Sequence, residues 1–119
     1  MKIAFSTGDT TLEGLLEERF GRAPGFLIYD TQSQSCTFIE NTQNLNAAQG
    51  AGIQSAQNIA KAGVNVVITG HCGPKAFKVL RTAGIDIYTV SCKTIREALT
   101  MFQDNQLLPL KSSDAESHW

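Results

Sequence analysis

The stretch NVVIT-GHCG-PKAFKVLRTAG-IDIYTV, residues 65–90, narrows the folds open to this chain more than any other. A short β-branched run meets a glycine-bounded turn, and a proline then stands where a first helical residue belongs. The helix pattern runs from Pro74 to about Ala83, with Ala76, Phe77, Leu80 and Ala83 on one face, and Gly84 stops it. A second apolar run follows at once. Strand, helix, strand in this space requires two parallel strands joined by a right-handed crossover, with a sheet buried beneath the helix.

The rest of the chain supplies the partners for that unit. Residues 2–7, KIAFST, read as a strand closed by Gly8-Asp9. Residues 26–30, FLIYD, and 36–40, CTFIE, read as two more, joined by TQSQS at hairpin length. A helix is expected over 47–62, capped by Asn46 and ended by Gly63, with Ile53, Ala56, Ile59 and Ala60 as its apolar stripe. Thr94 and Glu97 form a T-x-x-E capping box opening a last helix, whose Ile95, Ala98, Leu99 and Phe102 share a face. TTLEGLLEE, residues 10–18, reads as a short helix or a flap, its leucines packed on the core or over a pocket. The order β-β-β-α-β-α-β-α predicts an α/β domain of ribonuclease H-like topology: a five-stranded mixed sheet with helices packed on it. Residues 1–106 form the expected domain, and 107–119 a polar tail, disordered or lightly docked.

Composition removes several classes of function. A chain of 119 residues with formal charge −1 has no basic surplus for nucleic acid or an anionic membrane. No apolar run approaches the ~20 residues that span a bilayer. MKIAFSTGD turns polar too early for a secretory signal, so the cytoplasm is the expected compartment. Cys36, Cys72 and Cys92 are odd in number and lack CxxC spacing, which argues against a disulfide framework or a zinc site of cysteines alone. The strands that would carry a two-metal nuclease centre hold no carboxylate cluster, which excludes that activity.

Strand direction predicts which segments meet. The ends of the strands over 2–7, 36–40, 65–69 and 85–90, and the beginning of the strand over 26–30, fall on one rim, where open α/β sheets hold their ligands. That rim collects Ser6 to Asp9, Asn41, Thr42 and Asn44, the segment RFGRAPGF at 19–26, Thr69 to Gly73, and Ser91-Cys92. Cys36 starts its strand at the opposite end.

His71 and Cys72 stand together before a helix N-terminus, whose N–H groups and dipole favour an anion and lower a nearby thiol's pKa. Thiolate and imidazole suit zinc, copper(I) or iron–sulfur species. Two ligands make no strong mononuclear site, but they can anchor a preformed cluster. A buried turn, with Cys72 filling space, accounts for the residues equally well. Arg19 and Arg22, flanking Phe20-Gly21, offer planar charge-assisted donors to an anion, or else pair with Glu17, Glu18 or Asp9 at the surface. Gly50-Ala51-Gly52 would let backbone approach a ligand or a neighbouring strand, without the spacing of a dinucleotide fingerprint. An enzyme with Cys72 as nucleophile lacks a third, orienting residue.

Together MKIAFST, RFGRAPGFLIYD, N-x-x-x-x-Q-G-A-G at 44–52 and VVITGHCGPKAFKVLRTAGI resemble the dinitrogenase iron–molybdenum cofactor biosynthesis family over about residues 1–104. That family includes NifX-like and NafY-like carriers, the C-terminal region of NifB and small stand-alone relatives. The resemblance implies a non-catalytic protein that binds, carries or assembles a metal–sulfur cluster of Fe–S, Fe–Mo–S or Mo–Cu–S type. It implies a cofactor-assembly or acceptor protein as partner, and a monomer or weak homodimer. The implied cofactor-binding residues are Arg19, Phe20, Gly21, Arg22, Thr69, Gly70, His71, Cys72 and Gly73, with Cys72 and His71 as metal ligands. Several relatives carry histidine where this chain has Arg22, which removes one possible ligand. The alternative is an anion- or oxyanion-binding regulatory module using the helix N-terminus at Gly73-Pro74.

Overall fold

The structure is a computed structural model and describes residues 1–43, 46, 50–91 and 94–112. Five strands, β1 (Lys2–Thr7), β2 (Gly25–Asp30), β3 (Ser35–Glu40), β4 (Val66–Thr69) and β5 (Asp86–Thr89), form one sheet of order β3-β2-β1-β4-β5. β1 pairs antiparallel with β2 and parallel with β4, and β2 pairs antiparallel with β3. β4 and β5 are parallel, as the 65–90 stretch requires. The sheet is therefore mixed, with helices α1 (Ala51–Lys61), α2 (Pro74–Thr82) and α3 (Ile95–Gln103) packed on it.

Alternation along the strands divides the core into two layers. Ala4, Phe26, Ile28, Val67 and Ile87 face one side with Ala56 and Ile59 of α1 and Ala76 and Leu80 of α2. Ile3, Phe5, Leu27, Tyr29, Val66 and Ile68 face the other with Ile95, Ala98 and Leu99 of α3. Both faces of β1 are covered, which is why KIAFST reads as a nearly continuous apolar run. Gly63 and Gly84 follow α1 and α2 with φ of +73° and +79°, the left-handed conformation that ends a helix. The capping box at Thr94 is formed, with Glu97 N–H donating to Thr94 Oγ1 at 3.2 Å and Thr94 N–H to Glu97 Oε1 at 3.0 Å.

Two expectations change. The N-cap of α1 is Gly50 and not Asn46, so the helix begins at Ala51. Its entry is set by packing, because a turn carrying Gly21 presses on Gly52 there. Residues 10–18 form no helix: backbone bridges tie Leu16 to Thr7 and Leu15 to Thr94. Carbonyls of Gly14 and Leu12 accept from Ile95 N–H at 3.0 Å and Arg96 N–H at 2.8 Å, so this loop occupies the start of α3. Leu12 and Leu16 pack on the α3-side core, whereas Leu15 is exposed. The first residues of the tail also dock: Leu110 N–H donates to Ile87 O at 2.7 Å, and Pro109 bridges Tyr88 at the free edge of β5.

The hairpin turn gives a pH prediction. Asp30 Oδ1 accepts from Gln32 N–H at 2.9 Å, and this bond holds the carboxyl below its ordinary value, with Ser33 N–H, the N-terminus and Lys2 acting in the same direction. A depressed carboxylate contributes stability that is present above the unfolded value of about 4 and lost as pH falls through the folded one. Urea midpoints of Asp30→Asn should therefore lie below those of the wild type at neutral pH and converge with them on acidification. Parallel curves would refute this role for Asp30.

Candidate functional site: a cationic cavity between two helix starts

The rim is built where β1 and β4 part. Segment 15–20 enters the gap between them, bridging antiparallel to Thr7 through Leu16 and parallel to His71 through Arg19. Ser6 O accepts from Glu17 N–H, while Ser6 Oγ donates to Glu17 O, both at 2.7 Å. Ser6 Oγ also lies 2.7 Å from Thr69 Oγ1. Farther along, His71 N–H donates to Glu18 O at 2.6 Å and Phe20 N–H to His71 O at 3.1 Å. The segment leading to the arginines is thus stitched to the turn that carries His71.

That turn needs a glycine at Gly70 for space. A β-carbon there would stand 2.6 Å from Glu18 O and 2.7 Å from Glu18 Cα. Beyond it, Phe20 to Arg22 make a single 3-10 turn. Phe20 is fully buried, its ring 5.3 Å from that of Phe26, and it anchors the turn while Arg19 and Arg22 stay exposed.

Between this turn and the starts of α1 and α2 lies a cavity of about 230 Å³, walled by Arg19, Phe20, Gly21, Arg22, Gly50–Ile53, His71, Gly73, Lys75 and Ala76. Its electrostatics are one-sided. Arg19, Arg22 and Lys75 supply cations, and among the described residues no carboxylate belongs to the wall. Among the described residues neither arginine forms an ion pair, so the surface pairing with Glu17, Glu18 or Asp9 does not occur. The N-caps of α1 and α2 are Gly50 and Gly73, which have no side-chain oxygen to occupy the first-turn N–H groups. Two helix dipoles and three cations therefore point at one space, an arrangement that stabilises an anion.

The predicted site residues separate within this frame. Arg19, Phe20, Gly21, Arg22, His71 and Gly73 share the cavity wall. Thr69 is buried and bonded to the Ser6 hydroxyl. Gly70 lines a neighbouring depression of about 220 Å³ with Glu18, His71, Thr89, Val90 and Ser91, so His71 stands between the two spaces. Cys72 parts from its neighbour: it is 0% exposed, belongs to the α1–α2 core and has Sγ 3.7 Å from Gly73 O. Consecutive residues leaving a strand point to opposite sides, so adjacency in sequence does not bring the thiol and the imidazole to one space. Among the described residues no group of three or more His, Cys, Asp or Glu is placed to hold a metal ion. Asn44 and Cys92, expected on the rim, lie outside the described residues. Cys36 is exposed on β3 at the opposite end, and burial nonetheless pushes its thiol up.

Lys75 has no place in the sequence-based site, and Ile53, expected on the apolar stripe of its helix, lines the cavity instead. Lys75 had a signal, as a cation in the first turn of a helix whose N-terminus was already assigned to the rim. Among the described residues no helix is long and apolar enough to cross a membrane.

An uncharacterized protein of Methanocaldococcus jannaschii is 34% identical over 110 residues, 90% of this chain and 89% of its own length. The apo form of the orange protein from Desulfovibrio gigas superposes with a TM-score of 0.89 at 36% identity, with 96% of each chain covered. A provisionally named NifB protein from Thermotoga gives a TM-score of 0.80 at 29% identity, covering 96% of this chain and 97% of its own. The profile of the dinitrogenase iron-molybdenum cofactor family matches residues 1–105, and the chain belongs to that family.

Proposed function

We propose that this protein binds and carries an anionic metal–sulfur cluster, of iron–sulfur or iron–molybdenum type, for cofactor assembly, and that it does so without catalysing a reaction. One observation carries the reading: a cavity with three cations, two glycine-capped helix starts and, among the described residues, no carboxylate in its wall. Such a space favours a compact polyanion over a bare metal ion, which would meet repulsion and too few ligands. Family membership supports an iron–molybdenum cofactor context. His71 is the wall residue able to coordinate or donate to the cargo, and the guanidiniums hold its periphery by charge-assisted hydrogen bonds. The acceptor or assembly partner would approach at the open side of the same rim. The cytoplasm is the compartment in which such transfer is proposed.

Anaerobic reconstitution with iron and sulfide, with and without molybdate, tests this. A visible charge-transfer band should appear, weaken in His71→Ala and persist in Cys72→Ala. The latter should lose only about 1–2 kcal/mol of stability, from a small cavity in the core. Loss of the band in Cys72→Ala alone would mean that the turn opens to expose a thiolate ligand. No band from any metal–sulfide mixture, beside a thermal shift with plain oxyanions such as sulfate, would favour the oxyanion-binding module instead.

A further inference from the structure

Next to the cavity wall, four polar side chains join the arginine turn to α1. Gln43 Nε2 donates to Gly21 O at 3.3 Å, Ala51 O at 3.1 Å and Ser55 Oγ at 3.0 Å. Two of these partners are carbonyls, which only accept, so the amide nitrogen and not the oxygen must face them. Ser55 is 0% exposed and donates in turn to Ala51 O at 2.8 Å. Asn41 Nδ2 donates to Ala23 O at 3.0 Å and to Ser55 Oγ at 2.8 Å, pinning the residue that follows the turn. Asn58 Nδ2 holds Asn41 Oδ1 at 3.0 Å and Thr42 O at 2.9 Å.

We infer that Gln43, with Ser55 as its buried relay, is a positioning residue that clamps the Arg19–Arg22 turn to the first turn of α1 and so sets the width of the cavity. The inference rests on the cavity being the anion site. Neither Gln43 nor Ser55 belongs to the cavity wall, so neither touches the cargo directly. What they hold is the junction at which Gly21 and Gly52 approach so closely that a β-carbon on Gly21 would lie 3.0 Å from Gly52 Cα and N. Two glycines make that approach possible but supply no attraction. The amide supplies it, by bonding a carbonyl on each side. It also bonds the Gly21 and Ala51 oxygens, which tempers the negative dipole ends of two wall residues beside an anion. A site that depends on converging donors loses strength quickly when one wall drifts by an ångström.

Gln43→Met tests the clamp because it keeps the length of the side chain and removes both donors. Two readouts are taken: hydrogen exchange of the ligand-free protein, and an absorbance titration with tetrathiomolybdate, a sulfur-bearing dianion. Exchange should accelerate at the Arg22 N–H, which bonds Arg19 O at 3.2 Å, and at the Gln54 N–H, which bonds Gly50 O at 3.1 Å, but not within β4. Affinity for tetrathiomolybdate should fall about tenfold, as expected from losing one or two hydrogen bonds that order the wall. Ser55→Ala should act in the same direction. Unchanged exchange at Arg22 and Gln54, or affinity unchanged while Arg22→Ala still weakens binding, overturns the inference. Faster exchange in a protein whose wild type binds no tetrathiomolybdate supports the clamp and overturns the cargo reading instead.

Discussion

Replacing Arg19 and Arg22 together by alanine should weaken binding of tetrathiomolybdate or of a reconstituted cluster about a hundredfold, while the fold stays intact. Both side chains are exposed and, among the described residues, neither is committed to an ion pair, so their removal strands no buried carboxylate. Surface substitutions of that kind usually change stability by less than about 0.5 kcal/mol. Binding is different, because each exposed guanidinium that donates to an anion contributes about 1.5 kcal/mol, the lower end for a charged hydrogen bond, and two such losses compound. The two single variants with lysine separate charge from shape. Lysine restores the charge but not the planar fork, so recovery should be partial if the arginines grip the cargo's edge and nearly complete if they act only as a field. Isothermal titration at two salt concentrations checks the same point, since the wild type should lose affinity with salt more steeply than the double variant. A double variant that binds within twofold of the wild type would remove the cavity as the anion site.

Gly70→Ala should destabilise the protein by about 3 kcal/mol and remove binding with it, the behaviour of an overpacked close contact. The new methyl would collide with backbone, Glu18 O at 2.6 Å and Glu18 Cα at 2.7 Å, and backbone cannot rotate aside as a flexible side chain can. Relief requires segment 17–20 to move off the His71 turn, breaking the bonds between Glu18 and His71 and between Phe20 and His71. Those bonds connect the arginine wall to the β4 wall. Chemical denaturation should therefore show the stability loss, and amide exchange at Phe20 and His71 should rise before the global unfolding limit. A Gly70→Ala protein as stable as the wild type would mean that this pairing is not part of the folded ground state.

The layered architecture was legible because its signals are local. Pro74 and Gly84 bracket α2, the Thr94–Glu97 box opens α3, and the short apolar runs KIAFST and FLIYD mark strands. Each depends on a neighbour within a few positions, where backbone geometry dictates the outcome. The segment 10–18 was not legible as a loop. Its leucine spacing is compatible with a helix, and what prevents one is the demand of other elements for its backbone. Thr7, Thr94, Ile95 and Arg96 all bond to this segment, and it cannot satisfy them while bonding to itself. The start of α1 moved from the expected cap at Asn46 to Gly50 for a related reason, since Gly52 must meet Gly21.

For the site, sequence alone determined which rim would be populated, because strand direction follows from connection length and crossover handedness. RFGRAPGF and GHCG fall on it by strand direction, while the small residues at 50–52 read only as a place where backbone can approach a ligand or a neighbouring strand. Only the tertiary structure decided how that rim divides. It turned His71 to the cavity and Cys72 to the core, brought Lys75 into the wall, and joined Gln43 and Ser55 next to it. Those outcomes depend on contacts between residues far apart in the chain, where a side chain's direction is set by what else needs the space. A motif names the candidates, and packing chooses which of them can reach a ligand.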